Sequence, residues 1–196
     1  MAGRTWHWRV ALLTVALVMA VSTPAAAHVP VFLWKGAAPA LRPFFIHDIV
    51  ERSFAFFGLV GQGELHRYRF VADAGDQIPL SLLVPAGQAA VTGAYVLTPG
   101  GGEIPLEPVH EPAFDALTQV RLVRVGRLHL TAPETGLYEV HVYPAEALAA
   151  TGALAAAGGG ARVKYLLAAG EPERFSPLDI FKVPLWWLEA HLWLWR

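Results

Sequence analysis

The stretch "VRLVRVGRLHLTAPETGLYEVHVYP", residues 120–144, decides the fold. Two runs rich in β-branched and aromatic residues flank a turn signal, APETG, at residues 132–136. In the second run Tyr138, Val140 and Val142 alternate with Leu137, Glu139 and His141. That is the period of a half-buried strand. The spacing predicts a hairpin in which Leu130 pairs with Tyr138 and Leu128 faces Val140. On its outer face His129 lies opposite Glu139 and diagonal to His141, and a slip of two residues puts His129 opposite His141. Cross-strand neighbours sit about 5 Å apart at Cβ and diagonal ones about 7–8 Å. His129, Glu139 and His141 are therefore a candidate zinc set; the other reading of the same residues is a polar sheet face.

The pattern spreads outward from there. "GELHRYRFVADAGDQIPLSLLVP" (63–85) has two alternating runs around Gly75, where a positive φ is expected. Tyr68 and Phe70 point one way, Arg67 and Arg69 the other, and Ile78, Leu80 and Leu82 share a face. "GAYVLTPGGGEIPL" (93–106) reads as strand, glycine turn and short strand, the run from Val120 is interrupted at Gly126, and "ARVKYLLAAG" (161–170) closes the set. Short strands with frequent turn signals predict an all-β fold, an antiparallel sandwich. "AEALAATGALAAAGGGA" (145–161) is low in complexity and reads as a surface connection.

Gly58, Tyr68, Phe70, Gly75, Gly136, Tyr138, Val140, Val142 and Tyr165 fall on the skeleton of a known family. The chain resembles the bacterial pre-peptidase C-terminal domains over residues 46–170, with His66 where an acidic residue is common. The resemblance implies a jelly-roll-like β-sandwich, of a kind that usually serves as an accessory module of secreted hydrolases.

The N-terminus carries an address. VALLTVALVMAV (10–21) is uncharged, follows Arg4 and Arg9, and precedes the small residues Ala25 and Ala27. This predicts a secretory signal peptide over residues 1–27, a sandwich over 28–174, and an exported protein: periplasmic, extracellular or at the cell surface. Loss of Arg4 and Arg9 leaves 13 basic against 16 acidic residues. With no basic stripe, nucleic acid is not expected as a partner. There is no cysteine, so the exported chain folds without disulfides.

Catalytic signatures are sparse. Ser53, Ser81 and Ser176 sit in RSF, LSL and FSP, none of them a nucleophile elbow. Asp48 with Glu51, and Asp73 with Asp76, are oxygen-rich turn pairs of the type calcium uses. Cleavage after Ala27 would leave His28 at the new terminus. Its α-amine and ring nitrogen, completed by His47, would form a nitrogen set suited to copper. Copper is thus a candidate cofactor, and a copper-binding protein or copper enzyme is the alternative to a non-catalytic binding protein of the envelope.

The tail, residues 175–196, holds Trp186, Trp187, Trp193 and Trp195. Ser176, Pro177 and Asp179 form a helix start, and Pro184 starts a second helix running to Trp195. Thirteen helical residues cover about 20 Å, too little for a spanning anchor. The four tryptophans are expected to pack on the sandwich, to lie in a membrane interface, or to dock a protein or polysaccharide.

Overall fold

The computed structural model describes residues 28–33, 41–88, 92–115, 119–144, 162–170 and 182–195. Among these residues eleven strands form two packed sheets, and one helix follows. The six-stranded sheet contains β1 (Val29–Phe32), β3 (Phe54–Val60), β5 (Gln77–Pro85), β8 (Glu107–Asp115), β9 (Val120–Thr131) and β11 (Val163–Ala169), in the order β1-β3-β11-β5-β9-β8. The five-stranded sheet contains β2 (Phe44–Phe45), β4 (His66–Ala72), β6 (Thr92–Leu97), β7 (Glu103–Pro105) and β10 (Gly136–Pro144), in the order β2-β4-β10-β6-β7. The expected all-β sandwich is present. Pairing is antiparallel except at two edges, where β1 runs parallel to β3 and β2 parallel to β4.

The core lies between the sheets and follows the predicted faces. Tyr68 and Phe70 of β4, Tyr138 and Val140 of β10, and Ile78, Leu80 and Leu82 of β5 are all buried. Tyr138 pairs directly with Phe70, their rings stacked at 5.4 Å. Gly75 has the expected positive φ, +95°. Gly58 is required for a different reason: a Cβ there would lie 2.3 Å from the Tyr165 ring. That ring sits in a buried polar chain, with His66 Nδ1 at 2.6 Å from the Tyr165 hydroxyl and the Tyr68 hydroxyl on its other side. Burial pushes the Tyr165 hydroxyl pKa far above its ordinary value. The same effect lowers that of His66, against an opposing pull from Glu64.

The hairpin expected at APETG does not form. Leu130 pairs with Ile78 of β5, whereas Tyr138 pairs with Phe70 of β4. The segment 132–135 instead carries the chain from one sheet to the other. The turn at Asp73–Asp76 makes the same crossing between β4 and β5, and the two crossings bond to each other. Gly75 N–H donates to the Ala132 carbonyl at 2.8 Å, and Ala132 N–H to the Asp76 carbonyl at 2.9 Å. Period and turn chemistry are identical for a hairpin and for a sheet-changing arch; only the long-range partner separates them. By contrast β6 and β7 do form the predicted local pair. The interruption foreseen at Gly126 is a register shift, opposite Leu82 and Leu83.

Helix α1 (Val183–Trp195) starts one residue before the expected Pro184. The helix start proposed at Ser176 lies outside the described residues, as does the segment 1–27. α1 packs on the outer face of the six-stranded sheet, where Trp193 and Ala190 join Phe57, Leu83, Leu122 and Leu166 in a second apolar cluster. Trp193 Nε1–H donates to the Gly58 carbonyl at 3.0 Å and its ring meets Phe57 edge-on at 5.1 Å. Lys164 Nζ donates to the Leu194 carbonyl at 2.6 Å, satisfying one of the free carbonyls of the last turn.

Candidate functional site

Helical periodicity divides the tail's tryptophans into two pairs. Trp186 and Trp193, seven residues apart, face the sheet and are buried with Ala190 between them. Trp187 and Trp195 face outward. With Leu185, Leu188 and Leu192 they leave an apolar surface whose side chains are 42–88 % exposed. Leu185, Leu188, Leu192 and Trp195 are spaced by three, four and three residues, so they form one stripe along the helix. The His191 ring lies 4.0 Å from that of Trp187 and donates from Nδ1 to the Trp187 carbonyl at 2.8 Å. No helix among the described residues is long and apolar enough to cross a membrane.

A second surface is polar and pre-arranged. On the outer face of the five-stranded sheet, Arg69 of β4 is directly opposite Glu139 of β10, and His141 is opposite Tyr95 of β6. Arg69 Nε donates to Glu139 Oε1 at 2.6 Å, His141 Nε2 donates to Glu139 Oε2 at 2.8 Å, and Tyr95 O–H lies 2.7 Å from His141 Nδ1. Burial alone would raise the Glu139 carboxyl pKa, but the bonds from His141 and Arg69 outweigh it and hold the value below the ordinary 4.5. Phe45, Val71, Leu137 and Tyr143 are exposed around this chain.

Of the expected zinc set, the structure thus brings Glu139 and His141 together and leaves out His129. His129 is exposed on β9, opposite Pro79 in the other sheet. The places in the set are taken by Arg69 and Tyr95, an arginine and a phenol. Among the described residues no three His, Asp or Glu side chains are grouped to hold a metal. The outward direction of Arg69 was legible from the alternation in HRYRFVA; its pairing with Glu139 was not, because β4 and β10 are far apart in sequence.

His28 and His47 lie in different depressions. His47 lines one of about 420 Å³, together with Asp48, Glu51, Asp73 and Asp76, the two acid pairs considered for calcium. Its ring packs on Phe45 at 4.8 Å. His28 lines a pocket of about 310 Å³ on the outer face of the six-stranded sheet. Burial lowers its pKa from 6.5, with Asp115 pulling the other way. Its Nδ1 is hydrogen-bonded to Ser53 Oγ. An N-terminal chelate would use the α-amine together with Nδ1, the nitrogen that Ser53 already occupies. The hydroxyl–imidazole contact has the composition of an activated nucleophile. Ser53 is fully buried, however, and does not line the pocket.

No known protein family and no curated protein matches the sequence. Among solved structures, the chain is similar to Aeromonas hydrophila PliG, a periplasmic lysozyme inhibitor of g-type lysozyme. Identity is 21 %, the match covers 74 % of this chain and 95 % of that one, and the TM-score is 0.40. A mutant of the Escherichia coli PliG, likewise a periplasmic inhibitor of g-type lysozyme, is 20 % identical over 60 % of this chain and 86 % of its own, with a TM-score of 0.36. Likeness of this extent carries no argument about what this chain does.

Proposed function

We propose that this is an exported, non-catalytic binding protein of the cell envelope that engages a protein partner by offering α1 as a helical ligand. The observation that carries the reading is the outward stripe of Leu185, Leu188, Leu192 and Trp195 on a helix whose opposite side is already packed on the sandwich. Soluble surfaces seldom leave so much contiguous apolar area in water. Side chains three and four residues apart on one helix face are the anchors by which a helix enters an apolar groove. A lipid interface is the less favoured occupant: the sequence after residue 27 has more acidic than basic residues, and anionic headgroups would repel it. Export rests on the leader-like sequence of residues 1–27, and the non-catalytic role on the sparse catalytic signatures of the sequence. The resemblance to accessory domains of secreted hydrolases agrees with both.

The test places a photo-crosslinking residue at position 188 or 192 in living cells, with position 129, exposed on β9 and off the helix, as a control. A discrete protein adduct from 188 and 192 but not from 129, lost on introducing Leu185→Glu, is the expected result. Adducts equally strong from 129, or co-sedimentation of the purified protein with anionic vesicles that Leu185→Glu abolishes, would overturn it.

A further inference from the structure

On the inner side of the sheet that carries α1, the sandwich holds a polar chain with no part in the outward stripe. His66 and Tyr68 of β4 reach from the five-stranded sheet to Tyr165 of β11 in the six-stranded one. His66 Nδ1 lies 2.6 Å from the Tyr165 hydroxyl, which is bonded in turn to the Tyr68 hydroxyl. All three side chains are buried, and among the described residues neither phenol has another hydrogen-bond partner. Burial pushes both phenols upward, so each keeps its proton.

Proton counting makes this chain sensitive to acid. Two contacts accommodate two protons: Tyr68 O–H donates to Tyr165, and Tyr165 O–H donates to a bare Nδ1. A protonated His66 brings a third donor to the same two contacts, and one buried donor loses its partner. The charged groups around the ring do not remove the conflict. Glu64 Oε2 faces Nε2 at 3.7 Å and favours the cation. That carboxylate is shared, however: it accepts from Gly61 N–H at 2.7 Å, and Arg162 faces it at 3.7 Å. From β10 the residue opposite His66 is Val142, which brings no charge.

Tyr165, the member common to both contacts, also marks the place where α1 is held. Its cross-strand partner is Gly58, which its ring approaches so closely that no side chain fits there. The Gly58 carbonyl accepts from Trp193 Nε1–H at 3.0 Å. Lys164, the residue before Tyr165, donates to the Leu194 carbonyl at 2.6 Å. A shift of Tyr165 that relieves the crowded contacts therefore disturbs two residues to which the last turn of α1 is bonded.

We infer that α1 is an acid-released element: protonation of His66 displaces Tyr165 and weakens the docking of α1 on the six-stranded sheet. The two states this requires are α1 docked and α1 undocked. Undocking would release a protein held by the outward stripe; that consequence rests on the proposed function, whereas the coupling itself does not. Linkage makes the effect reciprocal: each tenfold weakening of docking on protonation is matched by a rise of about one pH unit in the His66 midpoint on undocking.

The test follows the Trp193 indole N–H and the histidine rings of the full exported chain, without any partner, by NMR from about pH 7.5 to about pH 4.5. His191, on α1 itself and stacked on Trp187, is the internal control. The expected result is that the Trp193 resonance moves toward the free-indole position with the midpoint of His66, not that of His191. His66→Gln should abolish this movement. So should Tyr165→Phe, which keeps the ring against Gly58 and removes the hydroxyl. Trp193→Ala should raise the His66 midpoint. Where a variant does not fold, the others decide, and the co-titration in the unaltered chain needs none of them. The inference would be overturned by a Trp193 resonance that stays fixed while His66 titrates, by one that follows His191, or by a His66 ring that stays neutral until the chain unfolds. Movement that persists in either variant, or a His66 midpoint unchanged in Trp193→Ala, would overturn it equally. Failure to crosslink a partner would sink the proposed function and leave each of these outcomes as it is.

Discussion

The two sheets of the sandwich differ in how many faces they bury. Among the described residues the five-stranded sheet is covered by apolar packing on one side, and its strands alternate: in β10, Tyr138, Val140 and Val142 face the core while Leu137, Glu139 and Tyr143 face outward, with His141 buried in the outer polar chain. The six-stranded sheet is covered on both over its middle strands, where α1 packs on the outer face. In β11 every residue but Lys164 is buried, and in β3 Ala55, Phe56 and Phe57 are buried in succession. Strands buried on both faces read as continuous apolar runs. FAFFGLV and YLLAA are such runs, and they mark where α1 docks. The difference teaches that the tail's destination was written in the strands beneath it rather than in the tail.

The largest expected effect falls on the shared interior. Phe70→Ala or Tyr138→Ala should each cost about 3–5 kcal/mol in chemical denaturation, since both are fully buried and stacked on one another. A near-zero cost for either would mean that the stacked pair does not hold the sheets together. Next comes the outer layer. Trp193→Phe keeps an aromatic ring near Phe57 but loses the bond to the Gly58 carbonyl, and should cost about 1–2 kcal/mol. Trp195→Ser, on the same helix but 88 % exposed, should stay within about 0.5 kcal/mol. Equal costs for the two would show that α1 does not pack on the sheet in solution.

Acid should act on the doubly covered sheet and the interior before it acts on the open face. His28 and His66 both have pKa values lowered by burial below the ordinary 6.5, so the folded state favours the neutral rings. The unfolded chain then binds more protons below pH 6.5 and stability falls as pH falls. Their contribution is full above 6.5 and is lost as pH drops through the lowered folded-state values. Glu139, held below 4.5, adds its loss only at more acid pH. A denaturation midpoint that is flat from pH 7 to 5, or that rises on acidification, would break this order. His66→Gln should flatten the upper part of the curve.

Much of the sandwich was legible because burial on one face imposes period two, and β4, β5 and β10 obey it. The connections were not. APETG between alternating runs has the local chemistry of a hairpin, and nothing within 25 residues says that Leu130 will seek Ile78 while Tyr138 seeks Phe70. The metal reading of His129 failed with that pairing. The surviving half, Glu139 with His141, gained Arg69 and Tyr95 from strands distant in sequence, which a single chain read without its partners does not reveal. The tail was legible in composition and half-legible in direction. Periodicity separates Trp186 and Trp193 from Trp187 and Trp195, but which pair turns inward depends on a sheet that the tail's own sequence does not describe.

The smallest stability effect should come from the open face, and it is informative for that reason. Arg69→Ala removes the ion pair with Glu139 but leaves His141 bonded to the same carboxylate. Arg69 is 38 % exposed at its side chain, and exposed pairs contribute about 0–1 kcal/mol. A loss within that range is expected, together with a rise of the Glu139 pKa measurable by carboxyl NMR, because one of the groups that outweigh burial is gone. His141→Phe should raise the same pKa by removing the other. If Arg69→Ala instead destabilised the fold as much as Tyr138→Ala, the outer face would be part of the structural frame. The contrast between a sheet buried twice and a sheet buried once would then not hold.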